Sequence, residues 1–252
     1  MSEISNLVGA VMGADAEALR VAANNVANAE STGYRRQIEV QHLDFSTVSA
    51  AHQQSMLHPP ASSGTPSSPS LLPPTQLAVD TRPGTLKNTA EPLDVAIQGD
   101  GYFVVDTPSG EMLTRRGDFH ANESGLLSAY TGDAVLGVDG TIKLPSGIVQ
   151  IAADGTVRVG SATVGQLRAV SVSPGSQLAE RADGLLEVRA GEQPTASTAV
   201  QFHQGFLETS NVQPVQEMLH MMQTVRHFEA AQRYMRAYDE MLDKAINDLG
   251  QI

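Results

Sequence analysis

SNVQPVQEMLHMMQTVRHFEAAQRYMRAYDEMLDKAINDL, residues Ser210–Leu249, is the stretch on which the reading of the fold turns. Ser210 and Asn211 are both good helix N-caps, because a side-chain oxygen there accepts an orphan backbone N–H. Pro214 follows within the first turn, where its missing N–H costs nothing. No further Pro or Gly occurs until Gly250. The pattern therefore predicts about 35 residues of unbroken helix, roughly 50 Å long, far above the usual mean of about 11–12 residues. Apolar residues step along it by threes and fours: Met218, Met221, Val225, Phe228, Ala231, Met235, Tyr238, Leu242, Ala245, Leu249. This is a heptad seam with one short step at Phe228–Ala231 that shifts its phase. A long helix with a narrow seam cannot bury that seam against itself. It is either the long core helix of a bundle or a coiled-coil strand whose partner lies elsewhere.

Residues 3–28 offer that partner. Ile4, Leu7, Val11, Ala14, Ala18 and Val21 repeat the 3–4 spacing, and the next seam position is Asn25. Gly9 and Gly13 each cost about 1 kcal/mol relative to Ala in a helix interior. Both terminal helices are thus expected to be marginal in an isolated chain and to firm up on association. Asn24, Asn25 and Asn28 compete for backbone hydrogen bonds and are poor mid-helix residues. They mark either a fraying helix end stopped at Gly33 or amides engaged with something specific.

Between the helices the chain changes character twice. Residues 37–45 alternate and predict a strand. From Ser46 to Gln76 the composition is Pro, Ser, Thr and Gly, with six of the 13 prolines, which reads as an extended arm. From 77 to 205 short apolar runs recur: Leu93–Ile97, Tyr102–Val105, Leu126–Leu127, Val135–Val138, Ile148–Ile151, Thr156–Val159, Val164–Val172 and Leu185–Val188. Gly99-Asp100-Gly101, Ser109-Gly110, Ser124-Gly125, Asp139-Gly140, Asp154-Gly155 and Asp183-Gly184 punctuate them as turns. The expected fold class is α+β. An antiparallel all-β domain at 77–205 would be inserted between a helix at 1–36 with its arm at 37–76 and the long helix at 206–252.

Composition removes several function classes. Net charge is −12, and 17 of the 28 acidic residues lie within 37–205, which argues against nucleic acid as a partner. The absence of Cys removes disulfides and thiolate chemistry. No apolar run is long enough to span a membrane, and the N-terminus lacks the features of a cleaved secretory signal. Glu217-x-x-His220 has the spacing of di-iron bundles, but no further helix supplies the other carboxylates. Glu39-x-x-His42 falls in a predicted strand, where the two side chains point to opposite faces. Gly99-x-Gly101 lacks the third glycine of a dinucleotide loop, and no hydrolase or nucleotide-binding motif is present. No catalytic, cofactor or metal site is expected, and the chain reads as a non-enzyme.

Three stretches, taken together, resemble the bacterial flagellar axial proteins of the rod and hook group. ANNVANAESTGY, ending at Tyr34, is similar to their rod signature, with Asn24, Asn25, Ala27, Asn28, Gly33 and Tyr34 matching and Ser31 standing where the family has Thr. GTLKNTAEPLDVAIQGDGYFVV (84–105) and TRRGDFHANESGLLSAYTGDAVLG (114–137) fit its middle, and FLETSNVQPVQEMLHMMQTVRHFEAAQRYMRAYDEML (206–242) its C-terminus. Pro214, Arg226-His227-Phe228-Glu229 and Tyr238-Asp239-Glu240 resemble the proximal-rod branch more than the distal one; a distal-rod or hook-type subunit is the alternative. The resemblance implies a structural subunit of the basal-body rod. Such a subunit polymerises head-to-tail through paired, coiled-coil-like terminal helices into a hollow shaft that transmits torque. The implied partners are copies of itself, other rod subunits, the export apparatus and the surrounding ring proteins. The implied place is the periplasmic rod, reached without a cleaved signal. Asn24, Asn25, Asn28, Gly33, Tyr34, Asn211, Met218, Met221, Val225, Phe228, Met235, Tyr238 and Leu242 would then lie at subunit interfaces, the three amides bonding to adjacent chains. A ligand-binding or enzymatic β domain flanked by oligomerising helices is the reading from another class.

Overall fold

The computed structural model describes residues 2–41, 75–172, 178–181, 184–188, 194–197 and 199–249. Helix α1 runs Ser2–Ala27 and helix α2 runs Pro214–Leu249, over 36 residues. The start of α2 corrects the expected cap. Pro214 is its first residue, and the Gln213 carbonyl accepts the N–H groups of Gln216 and Glu217 at 3.0 and 3.1 Å. Ser210 instead folds its hydroxyl onto the N–H of Val212, and Asn211 is used elsewhere. The strand expected at 37–45 is described as Gln37–Gln41 and pairs with Thr75–Val79; the rest of the expected arm lies outside the described residues.

The chain forms two compact units. One holds 24–38 together with the described part of 78–217, and the other holds 2–23, 39–41, 75–77 and 218–249. The divisions fall at 23, 38, 77 and 217 rather than at 36, 76 and 205, because the residues just inside each helix end are hydrogen-bonded into the β unit.

Strands of the β unit pair antiparallel throughout. The hairpin Tyr102–Thr107 with Gly110–Thr114 is the centre of its largest sheet. Successive side chains of a strand face opposite ways, and here both faces are covered. Phe103, Val105 and Met112 enter one apolar cluster with Phe119, Leu127, Ile142 and Phe202. Tyr102, Val104 and Leu113 enter a second with Val170, Leu178 and Leu186. Phe103 meets Phe119 edge-on, their ring centroids 4.8 Å apart, a favoured aromatic geometry. The strand Gly110–Thr114 was hidden in the sequence by Gly110 and Glu111, which face solvent. The single run expected at Val164–Val172 is two strands, Ala162–Gln166 and Ala169–Ser171. They are divided where Leu167 leaves its strand to donate its N–H to the Gly155 carbonyl. Each of the six turns holds a glycine at positive φ, from 73° at Gly125 and Gly184 to 116° at Gly110; in Gly99-Asp100-Gly101 it is Gly99.

Along α2 the buried row departs from the expected seam. Met218 and Val225 are exposed, while Thr224 is buried. The inward row reads Glu217, Met221, Thr224, Phe228, Ala231, Met235, Tyr238, Leu242, all buried or half-buried. It steps 4, 3, 4, 3, 4, 3, 4, so the phase shift disappears once polar residues are admitted to the seam. On α1, Val11, Ala14 and Ala18 are half-buried and Val21 is buried, but Leu7 is exposed.

Candidate functional site: a polar clasp between the helix ends

Within the β unit, the last turn of α1 and the first of α2 converge on one hydrogen-bonded assembly. Asn25 is 1% exposed and fully engaged. Its Oδ1 accepts the Gln37 N–H at 2.9 Å and the Tyr34 hydroxyl at 3.2 Å. Its Nδ2 donates to the Gln37 carbonyl and, across 192 positions of sequence, to Glu217 Oε2 at 3.3 Å. Glu217 is itself buried, and its other oxygen receives the Arg36 guanidinium. Asn211 completes this layer: its Oδ1 accepts the Arg36 N–H at 2.7 Å, and its Nδ2 donates to the carbonyls of Asp80 and Arg82. A buried polar side chain is costly unless its hydrogen bonds are made, and these residues make theirs within the chain.

Beneath it lies an ionic layer. Glu208, 3% exposed, stands between two arginines. Arg35 Nη2 is 2.8 Å from Oε1 and Arg115 Nε is 2.6 Å from Oε2. Gly84 adds its N–H to Oε1 at 2.7 Å. The remaining guanidinium N–H groups of Arg115 reach the carbonyls of Ile97, Gly99 and Gly101, and Arg35 reaches that of Arg82. Burial pulls the Arg35 guanidinium below its ordinary range, opposed by the Glu208 carboxylate. Burial likewise pushes the Tyr102 phenol up, although both guanidiniums pull the other way. Ion pairs this deep stabilise only when geometry and hydrogen bonding are complete. Here each Glu208 oxygen has a charged donor, while Arg35 Nε is buried without a hydrogen-bond partner.

Gly33 locks the two layers together. Its φ is +65°, and its N–H donates to the Glu208 carbonyl at 2.7 Å. A Cβ at this position would stand 2.5 Å from the Arg116 backbone nitrogen. Only glycine satisfies both the conformation and the approach.

Of the thirteen expected interface residues, the clasp brings together Asn25, Gly33, Tyr34 and Asn211. The Asn25 amide is bonded within its own chain. Asn28 Nδ2 donates to the Asn24 carbonyl, one turn back, and its Oδ1 accepts the Ser31 hydroxyl. Met221, Phe228, Met235, Tyr238 and Leu242 lie on the inward row of α2, and Met218 and Val225 on its exposed side. Sequence reasoning missed Arg35, Arg36, Arg115, Glu208 and Glu217. Glu217 alone had a signal, its place four residues before Met221 in the heptad. His220 is exposed. Among the described residues no group of three or more His, Asp or Glu side chains is placed to hold a metal ion, and no helix is long and apolar enough to cross a membrane. The clasp offers no reacting group to a substrate; what it does is fix both helix ends on one rigid base.

The chain was compared with known proteins. The family model for the C-terminal region of the flagellar basal body rod FlgEFG proteins matches residues 203–249, and that for the flagellar hook protein FlgE/F/G D1 domain matches residues 96–159. The flagellar basal-body rod protein FlgF of Mesorhizobium japonicum is 35% identical over 232 residues, which cover 90% of each chain. FlgF of Caulobacter vibrioides is 34% identical over 238 residues, covering 93% of this chain and 92% of that one. FlgG of Buchnera aphidicola subsp. Acyrthosiphon pisum is 30% identical over 248 residues, covering 90% and 92%.

Proposed function

We propose an assembly role from the premise that the chain belongs to the flagellar basal-body rod protein family, on its FlgF side, and is a structural subunit of that rod rather than an enzyme. α1 and α2 pair as a coiled-coil-like core, the inward row of α2 against Val11, Ala14, Ala18 and Val21. Subunits then join head-to-tail, with copies of themselves and with other rod proteins, at the proximal part of the rod. Head-to-tail contacts that do not close generate an open helical polymer, which here is the hollow shaft that transmits torque. The β domain faces outward, towards the ring proteins. The chain passes the export apparatus and takes its place in the periplasm.

One observation carries this reading. Beside its inward row, about 100° round the helix, α2 presents a second apolar row to solvent. Met218, Leu219, Met222 and Val225 are 41–54% exposed. The α1 face at Gly9 and Gly13 is also open, since a Cβ at either would meet nothing within 4 Å. Contiguous exposed apolar surface on a soluble chain marks a contact site, and a neighbouring subunit supplies the missing cover. Phe228→Asp or Leu242→Asp is expected to abolish swimming and to remove the protein from purified basal bodies, while the β unit melts as in wild type. Normal swimming by either variant would refute the assembly role. Deleting the gene should leave cells without hooks and filaments, and the length of the residual rod seen by electron microscopy separates the proximal from the distal position.

A further inference from the structure

Three elements of the helical unit bring ionisable groups to one place. α1 supplies Asp15, Glu17 and Arg20, the strand Gln37–Gln41 supplies Glu39, and α2 supplies His220 and His227. The paired strand segment at 75–77, Thr-Gln-Leu, adds no ionisable side chain. Glu39 is the odd member. Its Oε1 is shielded from solvent and has no hydrogen-bond partner. Two carboxylates face it, Glu17 and Asp15. The cations that face it are largely committed or conditional. Arg20 is held by both oxygens of Glu17, at 2.9 and 2.5 Å. His220 is positive only when protonated. So is His227, whose Nδ1 lies 2.7 Å from Asp15 Oδ2 and links α2 to α1.

We propose that this cluster is a proton-operated latch: the helical unit closes when Glu39 takes up a proton and loosens when Glu39 is charged. The chemistry of every member points the same way. A neutral carboxyl at Glu39 removes a solvent-shielded, unpartnered charge and its repulsion by Glu17 and Asp15. When protonated, His227 forms an ion pair with Asp15 across the two helices. Burial, followed by Glu17, pushes the Glu39 carboxyl up in the folded chain. A group raised on folding contributes its stability fully below its unfolded value, and loses it as pH rises through its folded value. The latch is therefore closed in acid and released towards neutrality. This goes beyond the assembly role, and its readout does not depend on motility.

Amide exchange and helical circular dichroism of the full-length free chain test it, at about pH 5 and about pH 7.5, since a carboxyl raised by burial and like charge gives up its proton above the usual carboxylate range. In wild type, intrinsic-rate-corrected protection of α1 and α2 should be higher at the acid end, while Phe103–Val105 in the β unit stay unchanged. Glu39→Gln, an uncharged isostere, should keep α1 and α2 protected at both pH values. Glu17→Gln should raise protection at neutral pH, because it removes a repulsion and frees Arg20 to meet Glu39. The β-unit amides report whether each variant is folded. Helices that exchange identically at the two pH values in wild type, or a Glu39→Gln chain that keeps the full wild-type response, would overturn the latch.

Discussion

Phe103 and Phe228 are the same side chain in two situations. Phe103 is 0% exposed, held between Phe119 and Phe202 with strands on every side. Phe228 sits on the inward row of a 36-residue helix and is still only half-buried. The same contrast holds across the two units. Val95, Val105, Val135 and Val157 are wholly buried in the β unit, whereas no large apolar residue of α2 from Met218 onward is fully buried among the described residues. Since apolar burial contributes about 25 cal/mol per Å², the β unit completes its hydrophobic stabilisation within one chain. The helical unit leaves part of its apolar surface uncovered within the chain. A subunit divided in this way combines a finished module with an unfinished contact surface.

Point substitutions can break or sharpen that contrast. The largest expected effect is Phe103→Ala, which leaves a cavity between Phe119 and Phe202. It should cost about 3–5 kcal/mol, read as a fall in the denaturant midpoint of the β unit. Gly33→Ala comes next. Its strained φ alone costs about 1–3 kcal/mol, and the close approach to Arg116 adds to it. Denaturation should show the loss, and amide exchange should place it at residues 25–37 and 208–217. Smallest of all, Phe228→Ala in the free chain should fall within about 1 kcal/mol of wild type and still weaken incorporation into basal bodies. A Phe228→Ala cost in the free chain that matched Phe103→Ala would erase the distinction between the two units.

The long helix was legible because nothing between Pro214 and Gly250 can stop it, and the β unit because its turns carry Asp-Gly and Ser-Gly pairs at their proper spacing. The clasp was not. Arg115 and Glu208 meet across 93 positions, and Asn25 and Glu217 across 192, with no local pattern to announce them. Asn25 could be singled out as a misplaced amide, but only the folded chain shows that it bonds to Tyr34, Gln37 and Glu217. The seam was misphased for a related reason. A search for apolar residues passes over Glu217 and Thr224, takes Val225 as the next step, and drifts from the inward row to the exposed one. Polar residues in a heptad are read correctly only when their partners are known.

Gly33 and Glu208 join through one backbone hydrogen bond, and Asn25 and Glu217 through one side-chain bond. The polypeptide therefore leaves for its β excursion and returns from it at nearly the same point. A segment whose entry and exit coincide is a cassette. It can lengthen, shorten or be exchanged for a foreign fold while the two anchoring strands of chain keep their places, because loop length adds to closure cost only logarithmically. The anchoring stretches can in this way carry different inserted modules without a change in the hydrogen bonds that join them.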